Sequence, residues 1–167
     1  KQWNEILQSQ KKKKIFCDIF GQKALKIAVK NKVHGVKIHS SDLENLELIK
    51  QIPKNMSVLL SCGGSNLFNI SRAINILSKK NIKPILMHGF QAYPTNISDI
   101  NLNRLMLLLK EFKNNSFLGF QDHTSGKDKL NFYLPILAIG LGATFIEKHI
   151  TFERSKKGID YYSSIEP

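Results

Sequence analysis

Residues 142–150 read GATFIEKHI, a short apolar run that ends abruptly in Glu147, Lys148 and His149. The apolar part is typical of a buried β-strand. Three ionisable groups are unusual at the end of such a strand, because burying a charge is costly unless the charge is paired. The stretch therefore indicates a strand whose carboxyl end faces a polar site.

Five similar runs precede this one. Strand-like segments occupy residues 15–20, 35–39, 57–61, 84–88, 117–121 and 144–148. Helical periodicity lies between them, over residues 22–31, 43–52, 67–80, 100–113 and 134–141. We expect Asp42 to cap the second of these helices and Pro135 to lie in the first turn of the last. The alternation predicts repeated βα units and hence a parallel sheet.

Polar residues follow the ends of five successive strands: Lys37 with Ser40 and Asp42, Ser61 with Gly63, His88 with Tyr93, Asp122 with His123, and Lys148 with His149. These strand ends lie roughly 24 to 35 residues apart, about one βα unit. In a TIM barrel the carboxyl ends of all strands form the active-site face, whereas a doubly wound sheet binds ligands only near its switch point. Five polar strand ends in succession predict an α/β fold of the TIM (β/α)8 barrel type.

The number of strands indicates an incomplete barrel. A full barrel has eight strands in about 250 residues, and six are recognisable here, preceded by the helix-like segment QWNEILQS. We expect residues 1–167 to be the C-terminal portion of a barrel, with about the last six βα units. Open first and last strands are an aggregation hazard, so the chain is expected to be a fragment or a truncated relative of a larger protein.

The net charge of +12 raises the hypothesis of nucleic-acid binding, because a basic surface attracts phosphate. Only three of the 25 basic residues are arginine, and the lysines are spread along the chain. This pattern favours a solvated lysine surface with a general attraction for small anions. We therefore expect no nucleic-acid partner.

Composition also bears on location. No apolar run reaches the 18 or more residues that a membrane-spanning helix needs, and the charges near the N-terminus follow the apolar residues, unlike those of a signal peptide. Cys17 and Cys62 each lie alone in an apolar stretch, which predicts buried thiols rather than a disulfide or zinc framework. We expect a cytoplasmic protein without a membrane partner.

His123 and His149 are candidate metal ligands. They are too far apart in sequence for a local motif, but on adjacent barrel strands their imidazoles would converge on one divalent cation. With oxygen ligands from substrate and water, such a site suits manganese, iron or cobalt and can polarise a carbonyl group. The alternative is that each histidine forms a hydrogen bond with its own loop.

The loops KIHSSDL and LLSCGGSN offer hydroxyls, glycine amides and a following helix N-terminus, a combination that suits a phosphate group. Lys37 would add a cation. Alternatively, Gly63 and Gly64 only form a tight turn, and Ser40 or Asp42 only caps a helix. Lys37 could also be a Schiff-base lysine, although the neighbouring hydroxyls favour a charge-pairing role.

Together with ILMHGFQAYPT, LGFQDHTSG and the segment from Gly142 to Pro167, these loops resemble the sialic acid synthase family in order and spacing. That family includes pseudaminic and legionaminic acid synthases and spore coat polysaccharide synthesis relatives. Its pattern is K-I-x-S, S-T-G, H-C-x-x-x-Y-P, G-x-S-D-H-T-x-G and I-E-K-H-F-T, followed by G-x-D and a serine before E-P.

The resemblance implies a metal-dependent synthase, a transferase of the EC 2.5.1 type, in carbohydrate and polysaccharide biosynthesis. Such enzymes condense phosphoenolpyruvate with an N-acetylmannosamine-type amino sugar, release phosphate and give a nine-carbon 2-keto acid. The implied metal is Mn2+, with Mg2+ or Co2+ as alternatives. The resemblance also implies a homodimer in the full-length form and a small C-terminal antifreeze-like domain outside this chain.

The resemblance gives roles to individual residues of this chain. His123 and His149 match the metal-binding histidines. Asp42 takes the place of a carboxylate, usually Glu, that handles protons. The remaining matches are substrate contacts: Lys37, Ser40 and Ser61 for phosphoenolpyruvate, and Gln91, Tyr93 and Asp160 for the acceptor sugar.

Departures from the family pattern leave a second hypothesis open. Gln121 replaces a serine, Gly89 replaces a cysteine, and Asp18 stands where a small hydroxyl residue is usual. A carboxylate at Asp18 would repel phosphoenolpyruvate unless a lysine pairs with it. The alternative to a synthase is a non-catalytic barrel remnant that binds a metal or an anionic sugar.

Overall fold

The computed structural model describes residues 2–10 and 13–167. The strands are β1 (Phe16–Ile19), β2 (Gly35–Ile38), β3 (Ser57–Ser61), β4 (Ile85–His88), β5 (Phe117–Asp122) and β6 (Phe145–Lys148). The α-helices are α1 (Gln2–Ser9), α2 (Gly21–Lys30), α3 (Leu46–Lys50), α4 (Leu67–Ser78), α5 (Leu102–Phe112) and α6 (Leu130–Gly140). Short 3-10 turns occupy Ser40–Asp42, Ile97–Asp99 and Arg154–Lys156.

The strand order confirms the predicted βα repetition. The sheet runs β1-β2-β3-β4-β5-β6, in the order of the chain. Strand β2 pairs in parallel with β1 and β3, and β5 pairs in parallel with β6. Neighbouring parallel strands need a crossover connection, which the intervening helices supply. The order never reverses, as it does at the switch point of a doubly wound sheet, and this agrees with the predicted barrel type.

The chain divides into two compact units, Lys1–Ile85 and Leu86–Pro167. The first unit has its core between β2, β3 and the helices α2 to α4. Helix α4 contributes one of its faces to this core, because its buried residues recur at helical spacing. These residues are Ile70, Ala73, Ile74 and Leu77. Asn66 begins this helix by accepting the Asn69 backbone N–H at Oδ1, 2.8 Å away.

The second unit has a core of large apolar side chains from its strands and helices. Leu86, Leu105, Leu108, Leu118 and Phe120 are almost completely buried. Helix α6 is apolar nearly all round, and much of its apolar surface is exposed, including Phe132, Tyr133, Ile136, Leu137 and Ile139.

Two predicted helix starts are wrong. Helix α3 begins at Leu46 and is capped by Asn45, whose Oδ1 accepts the Leu48 N–H at 3.2 Å. Asp42 is not the cap because it belongs to the 3-10 turn, which the His39 ring begins by accepting the Ser41 N–H.

Helix α6 starts at Leu130, where Asp128 Oδ1 accepts the backbone N–H at 2.9 Å. Pro135 therefore lies inside this helix rather than in its first turn. Across the described ranges 2–10 and 13–167, no helix has both the length and the hydropathy that a membrane crossing requires.

The close packing of neighbouring strands around Gly35 can be tested by substitution. A Cβ at this position would lie 2.3 Å from the Phe16 ring and 2.7 Å from the Ser57 carbonyl oxygen, which is backbone and cannot move aside. We expect Gly35→Ala to lower the free energy of unfolding by about 1–3 kcal/mol through overpacking, measured by urea denaturation. Gly140→Ala is the matched control, since its Cβ would meet nothing within 4 Å. Equal stability of both variants would contradict the packing.

Candidate active site

In the first unit, Asp18 and Lys37 form an ion pair. Strand register places Asp18 beside Lys37 on neighbouring strands, and Lys37 Nζ lies 3.2 Å from Asp18 Oδ2. The two side chains are 16% (Lys37) and 34% (Asp18) exposed. The lysine therefore offsets the carboxylate charge that would otherwise repel an anion. The sequence had identified this pairing as the condition for Asp18 to be tolerated.

The hydroxyl candidates of the first unit lie at strand ends. Ser61 ends β3 and is fully buried. Ser40 and Asp42 open and close the 3-10 turn that follows β2, and both are half-buried. After Ser61 the backbone turns at Gly64, whose φ of 75° favours glycine. These positions match the expected strand ends, and their contacts with substrate stay predictions.

In the second unit, three aromatic rings form a cluster, the histidine–tyrosine cluster, made of Tyr93, His123 and His149. The ring centroids of His123 and His149 are 5.3 Å apart. The Tyr93 ring lies 4.4 Å from His123 and meets His149 edge-on at 5.5 Å. The two histidines singled out in the sequence are thus brought together, although they are 26 residues apart.

Hydrogen bonds fix how the rings of this cluster are presented. His123 Nδ1 lies 2.9 Å from the Phe90 carbonyl oxygen. A carbonyl only accepts, so Nδ1 carries the proton and the lone pair is on Nε2. His149 Nδ1 lies 3.8 Å from Asp160 Oδ2, which is too long for a hydrogen bond but places a carboxylate next to the second ring. Tyr93 donates its hydroxyl to Gln91 Oε1 at 3.0 Å, so Gln91 and Asp160, two of the three acceptor-sugar candidates, each lie next to a ring of the cluster.

The donor set of this cluster fits a divalent first-row metal. Two imidazoles are ligands that manganese and cobalt accept, and the hydrogen bond from His123 Nδ1 leaves Nε2 as its ligating nitrogen. Within residues 2–10 and 13–167, no group of three or more His, Cys, Asp and Glu side chains is arranged to hold a metal. Further ligands would therefore have to be substrate or water.

A buried ion pair joins the two residues that immediately precede the histidines in sequence. Lys148 Nζ donates to Asp122 Oδ2, and the two side chains are 13% and 0% exposed. Asp122 Oδ1 also accepts the backbone N–H and the hydroxyl of Thr124, at 2.9 and 2.6 Å. Because Asp122 precedes His123 and Lys148 precedes His149, this pair ties together the paired strand ends that carry the two rings.

Pro135 supplies a further part of this support. A proline has no N–H to donate to the carbonyl four residues earlier, which here is that of Asn131. Lys148 Nζ donates to the Asn131 carbonyl oxygen at 3.1 Å. The lysine thus satisfies an acceptor that the helix itself leaves unused.

The loops after the two strands are also tied together. Ser163 donates its hydroxyl to the His123 carbonyl oxygen at 2.8 Å, and Gly126 N–H donates to the Tyr162 carbonyl oxygen at 2.8 Å. A Cβ at Gly126 would lie 1.9 Å from the Ser164 carbonyl oxygen, so glycine is required for this approach.

Sequence reasoning identified His123 and His149 and placed Asp122 and Lys148 beside them, but it did not predict which groups these two side chains contact. Asp122 and Lys148 had a signal: each immediately precedes a candidate histidine, and strand register pairs the two residues. Asn131 and Ser163 had none, because their roles depend on where α6 and the last loop fold back. His88, another strand-end residue, is buried and binds the Ile100 carbonyl oxygen through Nε2 at 2.8 Å.

Parallel strands in chain order, with polar groups at their carboxyl ends, define the (β/α) barrel class of enzymes. The family model described as NeuB matches residues 1–167, and the chain belongs to the NeuB family.

Two curated relatives illustrate the similarity. The N,N'-diacetyllegionaminic acid synthase of Campylobacter jejuni is 36% identical over 135 residues, which are 78% of this chain and 38% of the relative. The pseudaminic acid synthase of Helicobacter pylori is 32% identical over 154 residues, or 91% of this chain and 43% of the relative. The chain therefore spans about two fifths of the length of these relatives.

Solved structures agree with the barrel type. A sialic acid synthetase from Leptospira borgpetersenii, crystallised with citrate, superposes with a TM-score of 0.85 at 32% identity, over 99% of this chain and 57% of that one. A truncated 3-deoxy-D-arabino-heptulosonate 7-phosphate synthase from Thermotoga maritima has a TM-score of 0.78 at 16% identity, over 98% of this chain and 64% of that one. The second likeness concerns the fold alone.

The buried ion pair predicts that replacing Lys148 strongly lowers the stability of the fold. Lys148→Met leaves Asp122 buried without its cation, and we expect the free energy of unfolding to fall by about 3–5 kcal/mol. Lys50→Met is the control, because the Lys50–Glu47 pair is exposed and worth about 0–1 kcal/mol. Chemical denaturation of both variants checks this, and a Lys148→Met loss no larger than that of the control would exclude the supporting role.

The burial of the His88 imidazole predicts that the stability of the fold depends on pH. Burial, the largest cause, lowers the pKa of His88 below its ordinary value of 6.5. Below pH 6.5 the unfolded chain therefore takes up a proton that the native chain resists, and stability falls as the pH falls. We expect the Tm to drop less between pH 7.5 and 5.5 in His88→Gln, which keeps a donor for Ile100. An unchanged pH dependence in that variant would contradict the assignment.

Proposed function

We propose that this chain forms part of a synthase that condenses phosphoenolpyruvate with an N-acetylmannosamine-type sugar. The C–C bond forms between the enol carbon of phosphoenolpyruvate and the aldehyde carbon of the sugar. Water enters, phosphate leaves, and a nine-carbon 2-keto sugar acid results. The observation that carries the proposal is the convergence of Tyr93, His123 and His149 in a chain of the NeuB family.

The acceptor sugar is assigned to the histidine–tyrosine cluster. His123 and His149 would hold a divalent metal, with Mn2+ expected first and Mg2+ or Co2+ as alternatives; when bound, it would polarise the sugar aldehyde. Asp160, whose Oδ2 lies 3.8 Å from His149 Nδ1, would accept hydrogen bonds from hydroxyls of a sugar bound at the cluster. Tyr93 and Gln91, which are joined by a hydrogen bond, offer a ring face and an amide to the sugar.

Phosphoenolpyruvate is assigned to the strand-end groups of the first unit. Lys37 supplies a cation for the carboxylate or the phosphate, and Ser40 and Ser61 supply hydroxyl donors. Asp42, at the end of the 3-10 turn, is the group proposed to move a proton as the aldehyde oxygen becomes a hydroxyl. The cytoplasmic location, the homodimer and the two further βα units of a complete barrel stay predictions.

A second candidate function follows from Asp18. Its ion pair with Lys37 at 3.2 Å engages the cation that phosphoenolpyruvate would need. This favours a barrel that keeps the fold and binds a metal or an anionic sugar without turnover.

Phosphate release tests the proposal. We expect release from phosphoenolpyruvate and N-acetylmannosamine to require added Mn2+ after chelation, in this chain or in a form extended to the length of its relatives. His149→Ala should lower the rate by at least about 100-fold, since losing a ligand removes several kcal/mol of stabilisation. His34→Ala is the control, because His34 is exposed and its side chain accepts the Ile15 backbone N–H, outside the histidine–tyrosine cluster.

Two outcomes would contradict the synthase mechanism: turnover without metal, or full activity of His149→Ala. Metal binding by calorimetry without phosphate release from either form would select the second candidate.

A further inference from the structure

A basic pocket lies beside the histidine–tyrosine cluster in the second unit. It is built from the loop after His123 and the loop after His149, and its volume is about 500 Å³. This is within the range of about 300–1,000 Å³ that small-molecule sites occupy. The lining residues are Ser125, Lys127, Arg154, Ser155, Lys157, Tyr161 and Tyr162.

Three of the seven lining residues are cations and none is an acid. The nearby carboxylates are already engaged: Glu153 pairs with Lys156 at 2.9 Å and accepts the Ser155 hydroxyl, and Glu166 accepts the Arg154 backbone N–H at 2.6 Å. In the described part of the chain, the ammonium groups of Lys127 and Lys157 form no ion pair. The lining of the pocket therefore carries positive charge, which suits an anionic ligand.

Arg154 is held in place before any ligand binds. Its Nε donates to the Tyr161 carbonyl oxygen at 3.2 Å. Its Cζ lies only 3.1 Å from where a Cβ of Gly126 would be, so the missing side chain makes room for the guanidinium. With Nε engaged, the two terminal nitrogens form a fork, which is the arrangement that binds phosphate bidentately.

The pocket walls are also fixed by hydrogen bonds. Gly126 N–H donates to the Tyr162 carbonyl oxygen at 2.8 Å, and the Ser164 hydroxyl donates to the Asp160 carbonyl oxygen at 3.0 Å. Lys127 N–H donates to Ser125 Oγ at 3.3 Å. A site on such walls pays little ordering entropy when its ligand binds.

An aromatic wall accompanies the cations. The rings of Tyr161 and Tyr162 are in contact, with centroids 4.1 Å apart and planes tilted by 34°. The hydrogen bond from Tyr161 to Tyr162 raises the pKa of Tyr161 above its ordinary value, so this phenol stays neutral. Such a tyrosine pair offers apolar ring surface to the organic part of a ligand, and the volume exceeds what inorganic phosphate alone would fill.

We propose that the basic pocket binds a small organic phosphate monoester, with its phosphate on Arg154, Lys127 and Lys157 and its organic part against the two tyrosines. The inference rests on the pocket itself and does not require the condensation reaction. Asp160, whose carboxylate lies 3.8 Å from His149, directly precedes Tyr161 of the pocket wall. The basic pocket is therefore a neighbouring site that binds its own monoester, and the probes below distinguish a sugar phosphate from a nucleotide.

Calorimetry on the whole chain, without phosphoenolpyruvate or added metal, tests this site. The probes are glucose 6-phosphate, adenosine monophosphate and inorganic phosphate, with unphosphorylated glucose as the neutral control. We expect a monoester to bind more tightly than inorganic phosphate and glucose not to bind. Tighter binding of glucose 6-phosphate assigns a sugar phosphate, and tighter binding of adenosine monophosphate assigns a nucleotide.

Matched variants locate the binding. We expect the double variant Lys127→Gln/Lys157→Gln and the single variant Arg154→Gln each to weaken the monoester by about tenfold, since a charge-assisted contact contributes about 1.5 kcal/mol or more. Lys156→Gln is the control because Lys156 is paired with Glu153 and does not line the pocket.

The proposal is overturned if neither monoester binds, or if the double variant binds as tightly as the unchanged chain. The double variant keeps the test valid should Arg154→Gln fail to fold, because both lysines are exposed. Phosphate release in the synthase assay is independent of this result, so failure of one proposal leaves the other standing.

Discussion

The buried ion pair between Lys148 and Asp122 is the interaction on which the second unit depends. Two charges out of water carry a large desolvation cost, which is offset only when hydrogen bonds satisfy the remaining donors and acceptors. Thr124 and the Asn131 carbonyl meet that condition. The result joins the ends of β5 and β6, and the next residue on each strand is a histidine of the cluster. The charge pair therefore reinforces, at the site itself, the strand pairing that brings the two histidines together.

Much of the fold could be predicted from sequence because short apolar runs and one-sided helices are local signals. The run SVLLS and the face of α4 are examples, and both fall where the pattern indicated. The start of α3 could not, because the His39 ring begins a separate 3-10 turn over Ser40–Asp42, and Asn45 caps the helix only after it. Helix α6 carried no periodic signal for its start, since it is apolar on nearly every face.

The candidate site, like the fold, could be predicted from the sequence only in part. Strand-end spacing singled out His123 and His149, because residues one βα unit apart meet at the carboxyl ends of adjacent strands. The tautomer of His123, by contrast, depends on the Phe90 carbonyl, 33 residues away in sequence. The basic pocket likewise draws on two distant loops. Its concave shape suits a small anion, whereas a nucleic-acid backbone would need an extended stripe of cations.

Pro135 gives α6 a second significance. A proline inside a helix is usually regarded as a cost, because it removes a hydrogen bond. Here that defect leaves the Asn131 carbonyl for Lys148, so a break in one element becomes an anchor for another. A carbonyl oxygen has two lone pairs, and at Asn131 the N–H that would normally compete for one of them is missing. The shape of α6 is thereby coupled to the ion pair next to the histidine–tyrosine cluster.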